Sequence, residues 1–363
     1  MKKTLCAALV LAAFAGSAMA ESSVTLYGMI DTGLQYQHQK VTGEKGTDTF
    51  SMESSNNETS VWGLTGNEKL GNAEVTFVLE NSFNSDDGSK GDDRLFDQEA
   101  SLTVSGAYGA VSAGRLGALS AATGTYDTVF SVGESFDGGD GEVFGLAAAP
   151  ILDNAIAYQT PEFAGFKFTA MYSFSNDSVE NKATENTSQV DRYYGAAINY
   201  EKGAFQGVLS YEFVNRASAG ENASGITTDG QLVNLGVNYN FEDVAQVFAM
   251  AQYFKGWDDG VAMAGDNLEN VVDASGDGLK GWGAHLGAIV PVMGGDLTGG
   301  LYYVDAKADT ADQDVKFYGV GVRYAYPLSK RTSLYAGARY SQTKVEETKA
   351  QTTTVYTGIS HSF

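Results

Sequence analysis

The sequence predicts an all-β fold, a sixteen-stranded antiparallel transmembrane β-barrel. Three observations carry this reading. Apolar residues recur with period two in segment after segment, and no sustained 3.6-residue pattern competes with them. Tight turns and long polar loops alternate between the segments. After residue 20 no run of 18 apolar residues occurs, so strands are the elements left to cross a bilayer.

The first twenty residues read as a signal peptide. Lys2 and Lys3 precede the mostly apolar stretch Thr4 to Ala15, and Ala18-Met19-Ala20 offers a cleavage site before Glu21. The competing reading is a buried N-terminal helix. Residues 21–363 are then the barrel domain. The single cysteine, Cys6, falls within the signal, so the remainder contains none. That excludes a disulfide scaffold and a zinc-thiolate site. The chain has 45 acidic and 23 basic residues, a formal charge of −22. Removing Lys2 and Lys3 takes it to −24. So acidic a chain lacks the footprint of a nucleic-acid binder.

Sixteen candidate strands follow: 24–36, 59–67, 72–82, 95–106, 109–116, 152–159, 165–175, 191–201, 204–215, 230–241, 243–255, 279–290, 295–306, 314–326, 331–344 and 352–363. In the first, Val24, Leu26 and Ile30 share one face, and Thr25, Tyr27 and Asp31 the other. Val233, Leu235, Val237 and Tyr239 alternate with Leu232, Asn234, Gly236 and Asn238. Tyr318, Val320, Val322 and Tyr324 alternate with Phe317, Gly319, Gly321 and Arg323. One face is apolar with aromatic ends, to match lipid. The other is small or polar, to line water. Most segments reach the roughly 9–11 residues a tilted strand needs to span hydrocarbon. The stretches 37–58, 83–94, 176–190, 216–229, 256–278 and 307–313 read as long polar loops. All four prolines (Pro150, Pro161, Pro291, Pro327) read as lying between strands. A secreted β-sandwich is the alternative fold, but it calls for shorter strands. The last strand also opposes it: the chain stops at Phe363, and a terminal aromatic on an amphipathic strand looks like a bacterial barrel-assembly signal.

These segments resemble the Gram-negative trimeric porins of the neisserial and burkholderial type, over the whole chain. The matching pieces are Ser22 to Gly28 with Asp31, Trp62 to Gly71, Gly109 to Arg115, Asp153 to Phe166, and Tyr326 to Tyr335. The resemblance implies a homotrimer in outer-membrane lipid and lipopolysaccharide. It also implies a constriction loop folded into each pore. That loop would be 116–151, which carries Glu134, Asp137, Asp140 and Glu142 and no lysine or arginine. A solvated surface loop is the plainer alternative. The expected partners are the barrel-assembly machinery and small permeant ions and solutes. No cofactor, metal or enzymatic activity is expected.

The chain departs from the resembled family where arginines commonly face the acidic loop. Val61, Gln98 and Ile151 stand at those positions, and Thr65 replaces a second basic residue. Asp31, Glu74 and Glu80 fall on inward parities and add negative charge to the pore wall. Arg323 and Arg339 oppose them, and Arg115 is a further wall candidate of unclear parity. Rings of carboxylates favour cations, so a cation-preferring pore is expected. The acidic stretch 257–278 would bias the mouth the same way. His38, His285 and His361 are expected on a loop, an inward face and an outward face, without converging. The second functional reading is a solute-specific channel with Tyr27, Tyr193, Tyr302 and Tyr335 as a stacking track. An adhesin or an outer-membrane enzyme is a more distant one.

Overall fold

The computed structural model describes residues 23–121, 124–126, 128–133, 151–179, 181–218, 225–257 and 276–363. The strands are β1 (Ser23–Val41), β2 (Thr47–Ser54), β3 (Val61–Leu70), β4 (Ala73–Ser82), β5 (Glu99–Gly106) and β6 (Gly109–Gly117). A single helical turn, α1 (Phe130–Gly133), precedes β7 (Ile151–Gln159), β8 (Phe166–Ser173), β9 (Arg192–Lys202) and β10 (Phe205–Asn215). Then come β11 (Gly230–Asn240), β12 (Gln246–Trp257), β13 (Leu279–Val292) and β14 (Gly295–Ala308). The last are β15 (Gln313–Ser329), β16 (Thr332–Val345) and β17 (Thr348–Ser362).

Each strand from β3 to β17 pairs antiparallel with the next, and β1 closes the ring. It pairs with β17 from Met29–Ser362 to Val41–Ala350, and with β3 from Ser23–Asn67 to Met29–Val61. The ring therefore has sixteen staves, β1 and β3 to β17. β2 pairs with the far half of β1, from Thr32–Ser54 to Gln39–Thr47, and continues the stave of β3 beyond a break. A closed ring leaves no strand edge without hydrogen-bond partners, which hydrocarbon requires.

The register fixes which residues meet lipid. Leu26 lies opposite Leu64, and Leu64 opposite Leu79, on the outer face. Val24, Leu26, Leu209, Leu235, Leu286 and Leu301 are exposed there. On the inner face Ser112, Ser210, Asn234, Gln252, Thr298 and Thr354 are buried. A slip of one residue would exchange the two faces, so patterning and register enforce each other. Aromatics sit toward both ends of the outer wall. Phe166–Tyr200 and Tyr239–Phe241 pair at 4.5 and 4.6 Å near the short turns. Tyr172–Tyr194 and Trp282–Tyr303 pair at 4.8 and 5.3 Å nearer the long loops. These are the interfacial girdles of a membrane barrel.

The structure corrects the sequence reading in three places. The stretch 37–58 is not one loop: β1 runs on to Val41 and β2 fills Thr47–Ser54. Its sequence is mostly polar, and on β2 only Phe50 and Met52 continue the outward alternation, opposite Tyr36 and Leu34. His38 therefore lies on β1, with its ring Nδ1 2.7 Å from Asp48 Oδ1. Pro291 and Pro327 lie within β13 and β15, not between strands. Both are near strand ends, where a missing N–H interrupts little of the ladder. The register also shifts between Pro327 and Ser329. Pro161 does lie between strands, and Pro150 falls outside the described residues.

The C-terminus is part of the closure. Gly28 N donates to Phe363 O at 3.2 Å and Phe363 N to Gly28 O at 3.0 Å. The Phe363 ring covers Gly28 so closely that an added Cβ would lie 2.4 Å from it and 2.7 Å from Val61 O. Deleting Phe363, or making Gly28→Leu, is expected to lower the yield of folded, heat-modifiable barrel. The expected loss of stability is about 2 kcal/mol. Wild-type yield and unfolding temperature in both variants would show that this contact does not support closure.

Candidate functional site: the channel interior

After β6 the chain turns into the barrel. The ladder to β7 shifts register between Gly114 and Leu116, and Asn154 opposite adopts φ 49°. Leu116 keeps the inward parity of Ser112, the bulge turns Leu152 inward beside it, and both are fully buried. They join Leu119, Tyr193, Val214 and Leu232 in one apolar cluster. Further on, Val129 and Val132 pack against Val208 of β10 and Met250 of β12. Described residues from 118 to 133 thus lie against the inner wall.

Two wall carboxylates hold this segment. Glu212 of β10 accepts from Ser120 N at 3.3 Å, Ser120 Oγ at 3.0 Å, Tyr193 OH at 2.7 Å and Asn234 Nδ2 at 3.3 Å. Tyr193 OH in turn accepts from Leu119 N at 3.2 Å. Glu99 of β5 accepts from Thr125 N at 2.9 Å, Thr125 Oγ1 at 2.5 Å and Ser101 Oγ. Asn199 Nδ2 adds a bond to Thr128 O at 2.8 Å. Tyr126, whose OH lies 2.8 Å from Ser112 Oγ, has its phenol pushed above its ordinary pKa, chiefly by burial. Sequence reasoning missed Glu99 and Glu212. Their inward parity was readable, but their loop partners lie 26 and 92 residues away. The proposed constriction carboxylates Glu134, Asp137, Asp140 and Glu142 lie outside the described residues.

The other wall candidates scatter. Asp31 faces inward, fully buried, and accepts from Tyr335 OH and Ser360 Oγ, each at 2.6 Å. Glu80 faces inward and accepts from Tyr27 OH at 2.8 Å. Its register partner on β5 is Glu99, so two carboxylates stand side by side. Glu74 lies on the same face near the β3–β4 turn, bonded by Asn67 Nδ2 at 3.3 Å. Val61 pairs with inward-facing Met29. Gln98 precedes inward-facing Glu99 and donates from Nε2 to Asp97 Oδ2 at 2.8 Å. Ile151 pairs with Gly117, on the strand face opposite the buried Leu152. Arg323 and Arg339 face inward on β15 and β16, and the Arg339 guanidinium lies 5.8 Å from the centre of the Tyr356 ring.

Arg115 is engaged at the long-loop rim. Its NH1 lies 2.5 Å from Asp153 Oδ1, and its Nε donates to Asp97 O at 2.8 Å. Arg94 reaches the same Asp153 at 2.8 Å and Asp177 at 2.6 Å. This network ties the β4–β5 loop to β7 and to the loop after β8. Burial pushes the Asp97 carboxyl up, but hydrogen bonds from Ser82 and Gln98 prevail and hold it below its usual range.

Of the four tyrosines proposed as a stacking track, Tyr193, Tyr302 and Tyr335 are buried. Tyr193 and Tyr335 serve Glu212 and Asp31, and Tyr302 stacks on His285 at 4.2 Å. Among the described residues no group of three His, Cys, Asp or Glu could hold a metal.

The loop anchor is testable. Glu212→Leu leaves Ser120 and Tyr193 without their acceptor, at a cost of about 1–3 kcal/mol. Chymotrypsin is expected to cut the variant faster at Tyr126 or Phe130, with noisier single-channel current. Wild-type cleavage and noise would show that Glu212 does not hold the segment.

Comparison with known proteins agrees with this geometry. A sequence profile described as Gram-negative porin matches residues 7–346. The chain is 34% identical to an outer membrane porin protein of Bordetella pertussis, over the full length of both. It is 31% identical to outer membrane porin protein 32 of Delftia acidovorans, covering 99% of this chain and 95% of that one. A solved structure, the anion-selective porin from Comamonas acidovorans, superposes with a TM-score of 0.69 at 27% identity, over 94% of this chain and 100% of that one. A closed sixteen-stave barrel, a lipid-matched outer wall and matches along the whole chain have one reading: the chain belongs to the Gram-negative porin family, non-enzymatic channels of the outer membrane.

Proposed function

We propose that the chain forms a water-filled pore for passive diffusion of ions and small hydrophilic solutes, and that it prefers cations. One observation carries the preference. Among the described residues of β1 and β3–β5, the inward face holds Asp31, Glu74, Glu80 and Glu99, and its one cation is Lys69 near the β3–β4 turn. A narrow pore with low-dielectric walls focuses the field of such charges. Arg323 and Arg339 weaken that field from β15 and β16. The Comamonas porin is named anion-selective, and this chain shares its fold at 27% identity. Selectivity follows the lining charges and not the barrel, so a shared fold permits opposite preferences. Three of the four tyrosines of the stacking track are buried, which favours general diffusion over a solute-specific channel.

The same reading has residues 1–20 removed on export and three copies associating in outer-membrane lipid. Native mass measurement of the exported protein is expected to give a trimer of chains beginning at Glu21. A monomer or an uncut chain would contradict it. For selectivity, a salt gradient across a planar bilayer is expected to give a reversal potential of cation sign. Val61→Arg is expected to shift it toward anions. An anion-sign potential in the wild type would overturn the preference.

A further inference from the structure

We propose that residues 55–60, the break between β2 and β3, form a second constriction of the channel, with the Glu58 carboxylate setting its selectivity. This rests on the reading of the chain as a diffusion pore. The break is built, not frayed. Ser55 N donates to Asp31 O at 3.2 Å. Ser60 Oγ accepts from Asp31 N and donates to Asp31 O, each at 3.0 Å. Ser60 N closes on Ser55 Oγ at 2.9 Å. These bonds replace the ladder that the interrupted stave would have given Asp31.

Between its pinned ends the chain passes inside the barrel. Ser55, at φ 62°, starts the excursion. Asn56 and Asn57 are 7% and 5% exposed. Asn57 Nδ2 lies 3.3 Å from Ser360 Oγ on the inner face of β17, so the segment crosses β1. It does so where Gly33 and Gly358 are paired and leave space in the wall. A Cβ on Gly33 would stand 3.2 Å from Asn56 Nδ2 and 3.0 Å from Tyr335 OH. Glu58 follows, half-buried, with its N donating to Asp31 Oδ2 at 3.3 Å. Burial raises its carboxyl above the ordinary range, the Arg323 charge pulls it down and Asp31 pushes it up. Glu58 thus stands over the fully buried Asp31, within the field of an arginine and an aspartate.

The placement opposes the other inserted segment. Residues 118–133 are held by Glu212 on β10, and β10 lies eight staves from β1 in a ring of sixteen. The excursion starts at β1, while the loop leaves β6, four staves on, and reaches across to the wall opposite at β10.

The test uses single-channel recording on Glu58→Cys in a Cys6→Ser background, which contains no other cysteine. A cationic methanethiosulfonate reagent is expected to react in the open channel. The cation-to-anion permeability ratio should then fall roughly twofold or more, whereas an anionic reagent applied to unmodified Glu58→Cys channels should raise it. Val244→Cys, on an exposed turn between β11 and β12, should show no change. Glu58→Gln is nearly isosteric and should lower the ratio without any reagent, so the result does not depend on the cysteine variant folding. A conducting channel in which Glu58→Gln leaves the ratio unchanged, or a conducting Glu58→Cys channel whose new thiol does not react, would overturn the proposal. Absence of conductance in the wild-type protein would overturn the pore reading instead.

Discussion

Hydrocarbon offers no partner to a backbone N–H or C=O, and everything else in this protein depends on that fact. The chain answers by closing β1 onto β17 and hydrogen-bonding Phe363 back to Gly28. Once the ring is closed, lipid is met by alternate side chains and water by the others. The slightly negative mean hydropathy of −0.18 follows directly, because only half of each strand has to be apolar. The same closure gives Gly28 its role: a side chain there would occupy the space of the terminal ring.

Closure also moves the chemical variety indoors. The outer wall is constrained by lipid, so the inner wall is where charge is placed and where segments are tethered. Glu99 and Glu212 are buried acceptors that hold one loop, and Asp31 holds the break in the second stave. Each carboxylate is surrounded by hydroxyl and amide donors, which is how a buried acid is kept from destabilising a fold. The wall charges thus divide into two groups. Some anchor loop segments, and others, such as Glu80, bond within the wall to Tyr27.

Much of this was legible in the alternation alone. All sixteen staves were readable, as was the inward parity of Asp31, Glu74, Glu80, Arg323 and Arg339. β2 was not, because in the hairpin Gln37 to Ser54 only Phe50 and Met52 continue the outward apolar alternation. The position of Arg115 was not either, because its partners Asp97 and Asp153 lie on a loop and on the neighbouring strand. Val61, Gln98 and Ile151 look equivalent when aligned by resemblance. In the barrel Val61 faces the lumen, Gln98 precedes an inward residue, and Ile151 sits on the far side of the bulge from it.

Period-two patterning, by itself, determined the architecture: an even ring of strands with a lipid face and a water face. It did so because a strand's faces are set by residue parity, a local property. What entered the lumen was decided only by the tertiary structure. Ser120 meets Glu212 across 92 residues and Asn57 meets Ser360 across 303. Such contacts come from ring closure, which brings distant staves around one cavity. No periodicity along the chain encodes which loop will reach across it.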